Sequence, residues 1–203
     1  MKIILEDYQA GWVDAFAREM AVISSALAGF SPAIEHIGST AVEGLCAKPT
    51  IDILVGLHDD AQLDRAIAPM IGAGYTYFKK YEAAMPYRRL FARLRSLTDQ
   101  APPQLIDVHD AFVRGQTFIS VANIHVIVKD TPHWKRHLAF RDYLRAHPDV
   151  RDDYGRLKSA LSRADYRDTN EYNAAKERFI QEIQARALAW HDRQHETRRG
   201  NTP

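Results

Sequence analysis

The residues best suited to do chemistry lie between His36 and Asp52. The run His36-Ile37-Gly38-Ser39-Thr40 leaves a predicted strand and enters a turn. A glycine there lets backbone N–H groups come close to a ligand, and Ser39 and Thr40 add hydroxyl donors. A helix starting just beyond would aim its free N–H groups and dipole at an anion, and Lys48 closes the loop with a positive charge. The chemistry this predicts is binding of a phosphate or nucleotide. A Gly-Ser-Thr turn also caps helices that hold no ligand, so the turn alone leaves both readings open. Asp52 is the sharper signal, because it stands between Ile51 and Ile53 in an aliphatic run. A carboxylate in a buried strand is costly unless paired, hydrogen-bonded or bound to a metal. Asp52 is therefore the candidate catalytic and metal-binding carboxylate, with a structural ion pair to Lys48 or an arginine as the alternative.

These residues need elements to position them. Trp12, Phe16, Met20, Ile23 and Leu27 recur at helical spacing and predict a helix over residues 7–27. A short strand over 33–37, a loop over 38–48 and a strand over 50–57 follow; the last is apolar enough to be central and covered on both faces. A helix is predicted over 59–71, strands over 75–81, 88–94, 104–108 and 122–128, and a hairpin connection with Arg114-Gly115 within 110–120. Thr131 and Pro132 suit the cap and first position of a helix ending near His147-Pro148. Further helices are predicted over 150–163 and, capped by Thr169, over 170–191. The end, 196–203, reads as a polar, frayed tail. This is one α/β (α+β) domain over 1–195 with a helical last third; without regular βαβ alternation, a doubly wound dinucleotide fold is not expected.

Composition narrows the classes. The chain has 203 residues and a formal net charge of +1, so no global field draws it to nucleic acid or an anionic membrane. Cys46 is the only cysteine, which rules out an intrachain disulfide and fits a reducing compartment. The first residues carry Glu6 and Asp7 and lack the pattern of a secretory signal, and no run is apolar enough to span a bilayer. The expected location is the cytoplasm, and the expected partner a small molecule. The sequence contains no nucleotide-binding P-loop, no dinucleotide glycine fingerprint and no zinc-protease motif.

The run from Glu35 through Gly38-Ser39-Thr40-Ala41-Val42-Glu43-Gly44 and Lys48-Pro49-Thr50-Ile51-Asp52-Ile53-Leu54-Val55 resembles the signature of the GrpB family. A second block agrees: Trp134, His137 to Arg145, His147-Pro148, Tyr154, Leu157-Lys158, Tyr172, Lys176 and Phe179-Ile180. The resemblance implies a nucleotidyltransferase-like fold, a mixed sheet flanked by helices. In that superfamily the Gly-Ser turn holds nucleotide phosphates, and carboxylates on the next strand bind divalent metal such as Mg, Mn or Zn. By the same resemblance Gly38, Ser39, Thr40 and Lys48 are phosphate contacts and Asp52 the metal ligand. The family also occurs fused to dephospho-CoA kinase in some bacteria.

One departure from the pattern matters. A second carboxylate is usual two residues after the first, and here that position is Leu54. A two-metal site needs several oxygen ligands, which Asp52 alone does not supply. A later strand gives a third carboxylate in the superfamily, and His125 falls in its place. With His36 and Asp52 it would form a nitrogen-rich set suited to Zn²⁺, Mn²⁺ or Fe²⁺; a hydrogen-bonded core histidine is the alternative. The pair Arg88-Arg89 matches an arginine pair of the family, and only one of two neighbouring strand residues can face a phosphate. His137, Arg141 and Arg145 share a helix face. Arg141 is counted as a phosphate contact there, against ordinary surface ion pairing; Lys158 and Lys176 are further cations. Asp107 and His109 lie in an extension over 99–122 to which no family role transfers. Two functions stay open: a metal-dependent nucleotidyltransferase, and a catalytically silent binding or regulatory domain linked to coenzyme A metabolism.

Overall fold

The apolar stripe near the start forms α1, Gly11–Ala26, which buries Trp12 and Ile23. The structure, a computed structural model, describes the backbone of residues 2–112, 115–167 and 169–200, and their side chains apart from 169, 170 and 195–200. Strands β1 (Ala33–Ile37) and β2 (Ile51–Leu57) flank the glycine turn, followed by α2 (Asp60–Arg65) and α3 (Ile67–Gly72). Then come β3 (Thr76–Tyr77), β4 (Arg88–Ser96) and β5 (Phe118–Val128), and the helices α4 (Pro132–Ala146), α5 (Pro148–Leu161) and α6 (Thr169–Gly200).

The strands form one five-stranded sheet in the order β1-β2-β5-β4-β3. The β2–β5 pair is parallel and the other pairs are antiparallel, so the sheet is mixed and flanked by helices. Strand side chains alternate between faces. Ile51, Ile53 and Val55 pack with Ala122, Ile124 and Val126 against Trp12, Ile23, Leu63 and Met70. On the opposite face Leu54 packs with Ile37, Ile127 and Trp134. Helices α4, α5 and α6 make a second core in which Tyr143, Leu144, Tyr154 and Ile183 close over Val42 and Leu45 of the loop after β1. No helix among the described residues is long and apolar enough to cross a membrane.

Several elements differ in extent from the sequence expectation, as β5 does in starting at Phe118 and α6 in running to Gly200, and three differ for identifiable reasons. The helix predicted over 59–71 is two short helices broken at Ala66. Pro69 is the cause: its ring crowds the carbonyl of residue 65, where α2 ends. The strand predicted over 75–81 stops at Tyr77 and gives way to a 3₁₀ turn at Lys79–Tyr81. Residues 104–108 only bridge to β3, through Tyr77 N–H to Gln104 O and Ile106 N–H to Tyr77 O, each 2.8 Å. Side chains end that bridge, because Asp110 and Asp107 carboxylates accept from the Asp107 and Val108 amides at 2.6 and 2.7 Å. The helix starting at Pro132 has the expected cap, with Thr131 accepting from the Trp134 amide. The Thr169 side chain, Arg114, and in the predicted tail the side chains of 196–200 and all of 201–203 lie outside the described residues; the α6 backbone runs to Gly200.

Candidate functional site

The site begins where β1 ends. Ile37 pairs with Asp52 across the β1–β2 ladder, and Gly38 follows with φ 73° and ψ −171°, a conformation open essentially to glycine alone. A Cβ on Gly38 would fall 2.5 Å from Asp52 Oδ2. The glycine is thus needed twice, for its backbone angle and to admit the carboxylate. Asp52 Oδ1 accepts a 2.9 Å hydrogen bond from Asn123 Nδ2, its register partner on β5. The chain then turns through Ser39–Ala41 as a single 3₁₀ turn rather than a longer helix.

A cavity of about 320 Å³ lies against this turn. Its wall includes Ser39, Thr40, Lys48, Thr50, Asp52, Ser120, Asn123, Lys158, Tyr172 and Lys176. Lys158, from α5, is 2% exposed. It donates to Ser39 Oγ at 3.0 Å and to the carbonyl of Cys46. Burial pulls its pKa from the usual 10.5 down to about 7. Lys176, from α6, is brought down to about 8 by burial and by the nearby charge of Lys48. Lys176 sits 4.4 Å and Lys48 5.7 Å from the Tyr172 ring centre, and Lys158 4.7 Å from that of Tyr154. Aromatic faces attract cations, so the rings hold the ammonium groups together against their mutual repulsion. Three lysines and one carboxylate on one small cavity leave an excess of positive charge, and an anion would relieve it.

A larger cavity, about 840 Å³, lies beyond Asp52 and Asn123, which line both spaces. Its polar wall carries Lys80, Arg88, Arg136, His125 and His137, and its apolar wall Tyr81, Met85, Leu90, Phe112 and Phe140. Arg88 is the inward member of its pair and donates from Nη1 to His125 Nδ1 at 2.9 Å. Burial, then the charges of Arg136, Arg88 and His133, push His137 down to about 3, so it stays neutral.

The structure separates other residues that the sequence grouped. Arg89 points to the opposite side of the sheet and pairs with Asp64 at 2.7 Å and Glu82 at 3.4 Å. Arg141 is not at the cavity either. It pairs with Asp142 and Glu35, each at 2.7 Å, and bonds the His36 carbonyl at 3.0 Å, tying α4 to β1. Arg145 does the same for the turn, donating to the Ala41 carbonyl from Nε and Nη2 at 2.9 and 2.7 Å. His36 pairs with Ile53 and so shares its face, away from Asp52. It stacks on Phe16 at 4.8 Å and bonds Thr40 Oγ1 at 3.0 Å. Burial, then Arg145 and Arg141, lower its pKa to about 4, so it remains neutral. His125 shares the face of Asp52 but is engaged by Arg88. The proposed ligand set of His36, Asp52 and His125 is therefore not assembled, and among the described residues no three His, Cys, Asp or Glu side chains converge on a metal position. Asp107 is turned outward to Lys79. The sequence reading passed over Asn123 and Arg136. Asn123 was findable, because an amide two residues from His125 in an apolar strand must share its face.

Fold and site together define a mixed α/β protein with a cation-lined cavity beside a single strand carboxylate. The chain belongs to the GrpB family, whose pattern, described as GrpB protein, matches residues 2–186. UPF0157 protein BH1888 of Halalkalibacterium halodurans is 36% identical over 92% of this chain and 83% of its own. The solved structure of conserved protein GrpB from Enterococcus faecalis superposes with a TM-score of 0.72 at 29% identity, over 93% of this chain and 99% of that one. A dephospho-CoA kinase of Mycolicibacterium paratuberculosis is 31% identical over 78% of this chain, which spans only 39% of that protein's length.

Proposed function

We propose that this protein binds a phosphate-bearing small molecule of the nucleotide class, with a phosphoryl group in the cavity between the Gly38 turn and helices α5 and α6. The observation that carries this is the convergence of Lys48, Lys158 and Lys176 with Ser39 and Thr40 on one cavity. Ammonium and hydroxyl donors from the turn and two helices surround a tetrahedral oxyanion from several sides. Phosphate charge would raise the lowered pKa values of Lys158 and Lys176, so binding takes up protons and weakens at pH values where the free lysines are neutral. The kinase name of one relative puts coenzyme A precursors beside nucleotides among ligands to try.

A second reading, metal-dependent nucleotidyl transfer, rests on Asp52. With Leu54 at the position of a second carboxylate, the protein fits a one-carboxylate site, where a Mg²⁺, Mn²⁺ or Zn²⁺ ion would share Asp52 with the ligand's own phosphates. Calorimetric titration with ATP and dephospho-CoA, with and without Mg²⁺ or Mn²⁺, decides between them. Binding that Lys158→Met and Lys176→Met each weaken at least tenfold supports the first reading, and binding indifferent to both rules it out. A metal-dependent gain in affinity that Asp52→Asn removes, accompanied by release of pyrophosphate, moves the assignment to the second.

A further inference from the structure

We infer that the ligand carries a second anionic group, held by Arg88 and Arg136 in the larger cavity. This rests on the phosphate reading above and specifies the substrate class: a phosphorylated metabolite with a second phosphate or a carboxylate at the far end of a neutral body. The other partly buried arginines among the described residues, Arg89, Arg93, Arg141 and Arg151, each have a carboxylate within 4.0 Å. Arg88 and Arg136 have no such carboxylate among the described residues. Arg88 spends Nη1 on the His125 ring and Nη2 on the Met85 sulfur at 2.8 Å, and its buried Nε has no acceptor. Arg136 reaches only His137 Nε2, at a long 3.4 Å, and its Nε is likewise buried without an acceptor. Each cation depresses the other's neighbours, and desolvation lowers Arg88 itself.

Two partly buried guanidinium groups facing imidazoles and a thioether, with no carboxylate beside them among the described residues, are charges without a counter-charge. A guanidinium presents a fork of donors that matches a carboxylate or phosphate. The cavity they line joins the lysine pocket at Asp52 and Asn123. The Asp52 carboxylate repels an anion placed over it, so charged groups belong on either side of it and an uncharged portion belongs across it. Tyr81, Phe112 and Phe140 on the wall suit a portion with apolar or aromatic surface.

The test counts anions. Equilibrium dialysis of the full chain with radiolabelled inorganic phosphate gives two phosphates per chain. The Arg88→Met/Arg136→Met variant keeps one, and Lys158→Met/Lys176→Met loses the other. An arginine variant that still binds two overturns the second subsite while leaving the lysine pocket intact, whereas a lysine variant that still binds two overturns the lysine pocket instead. A parent chain that binds one or none also overturns the inference. Arg88→Lys, which keeps the charge and the fold but loses the fork, retains two phosphates with the second weakened about tenfold. Succinate then separates the chemistries: it displaces the arginine-held phosphate where the second group is a carboxylate, and spares it where that group is a phosphate.

Discussion

The two faces of the sheet have opposite character although their residues alternate along the same strands. Toward α1, α2 and α3, β2 and β5 present Ile51, Ile53, Val55, Ala122, Ile124 and Val126. Toward α4, α5 and α6 the same strands present Asp52, Asn123 and His125 at the cavities. The first face carries the stability of the molecule. The second leaves desolvated charges only partly compensated, which costs stability and is the basis of the proposed anion site. A single-residue change of register would exchange the two faces, so the long β2–β5 ladder with its seven register pairs also protects the site.

Substitutions on each face sharpen this contrast. Ile53→Ala, at a fully buried position, destabilises by about 2–5 kcal/mol in urea unfolding, while the folded fraction keeps its anion affinity. An equal loss of affinity would mean the faces are not separable. Gly38→Ala places a Cβ against Asp52 in a conformation reserved for glycine and costs about 1–3 kcal/mol. Unlike Ile53→Ala, it also perturbs binding, because Asp52 has to move.

Lys158→Met reverses the sign. Its folded pKa, about 7, lies below the usual 10.5, so between those values the unfolded chain holds the extra proton and the parent becomes more stable as pH rises. Removing Lys158 flattens that rise and stabilises the protein at neutral pH, at the expense of at least tenfold in affinity for sulfate, whose charge is constant over this range. In the parent, sulfate affinity is full below pH about 7 and weakens as pH climbs past about 8, where Lys176 also loses its proton. A flat profile in calorimetry would break the link between lysine charge and binding. The smallest effect belongs to Arg89→Gln. Its partners Asp64 and Glu82 both reach solvent, so stability falls by about 1 kcal/mol and phosphate stoichiometry is unchanged, unlike the outcome at neighbouring Arg88.

The comparison also explains what could be read from the chain beforehand. Asp52 and Gly38 were legible because each breaks a local rule: a carboxylate in an aliphatic strand, and a glycine before two hydroxyl residues. Helix α4 was legible from Thr131 and Pro132. The metal set failed at His36, because its face depends on pairing with Ile53, a register that no local pattern fixes. Arg141 could not be distinguished from a ligand contact without knowing that Glu35 and Asp142 lie beside it. The lysine cluster was named residue by residue but not as a cluster, because only the docking of α5 and α6 brings Lys158 and Lys176 to Lys48.

That docking sets an order of events during synthesis. Ser39 and Lys158 are separated by 119 residues, and the whole sheet is encoded before α4 begins at Pro132. A growing chain therefore has every strand, the glycine turn and Asp52 in hand well before it has Lys158 or Lys176. The lysine wall is complete only once α5 and α6 have been made. A nascent chain stalled before α5 would carry the sheet but only Lys48 of the lysine wall, and would lack the two buried ammonium groups on which the proposed anion site depends.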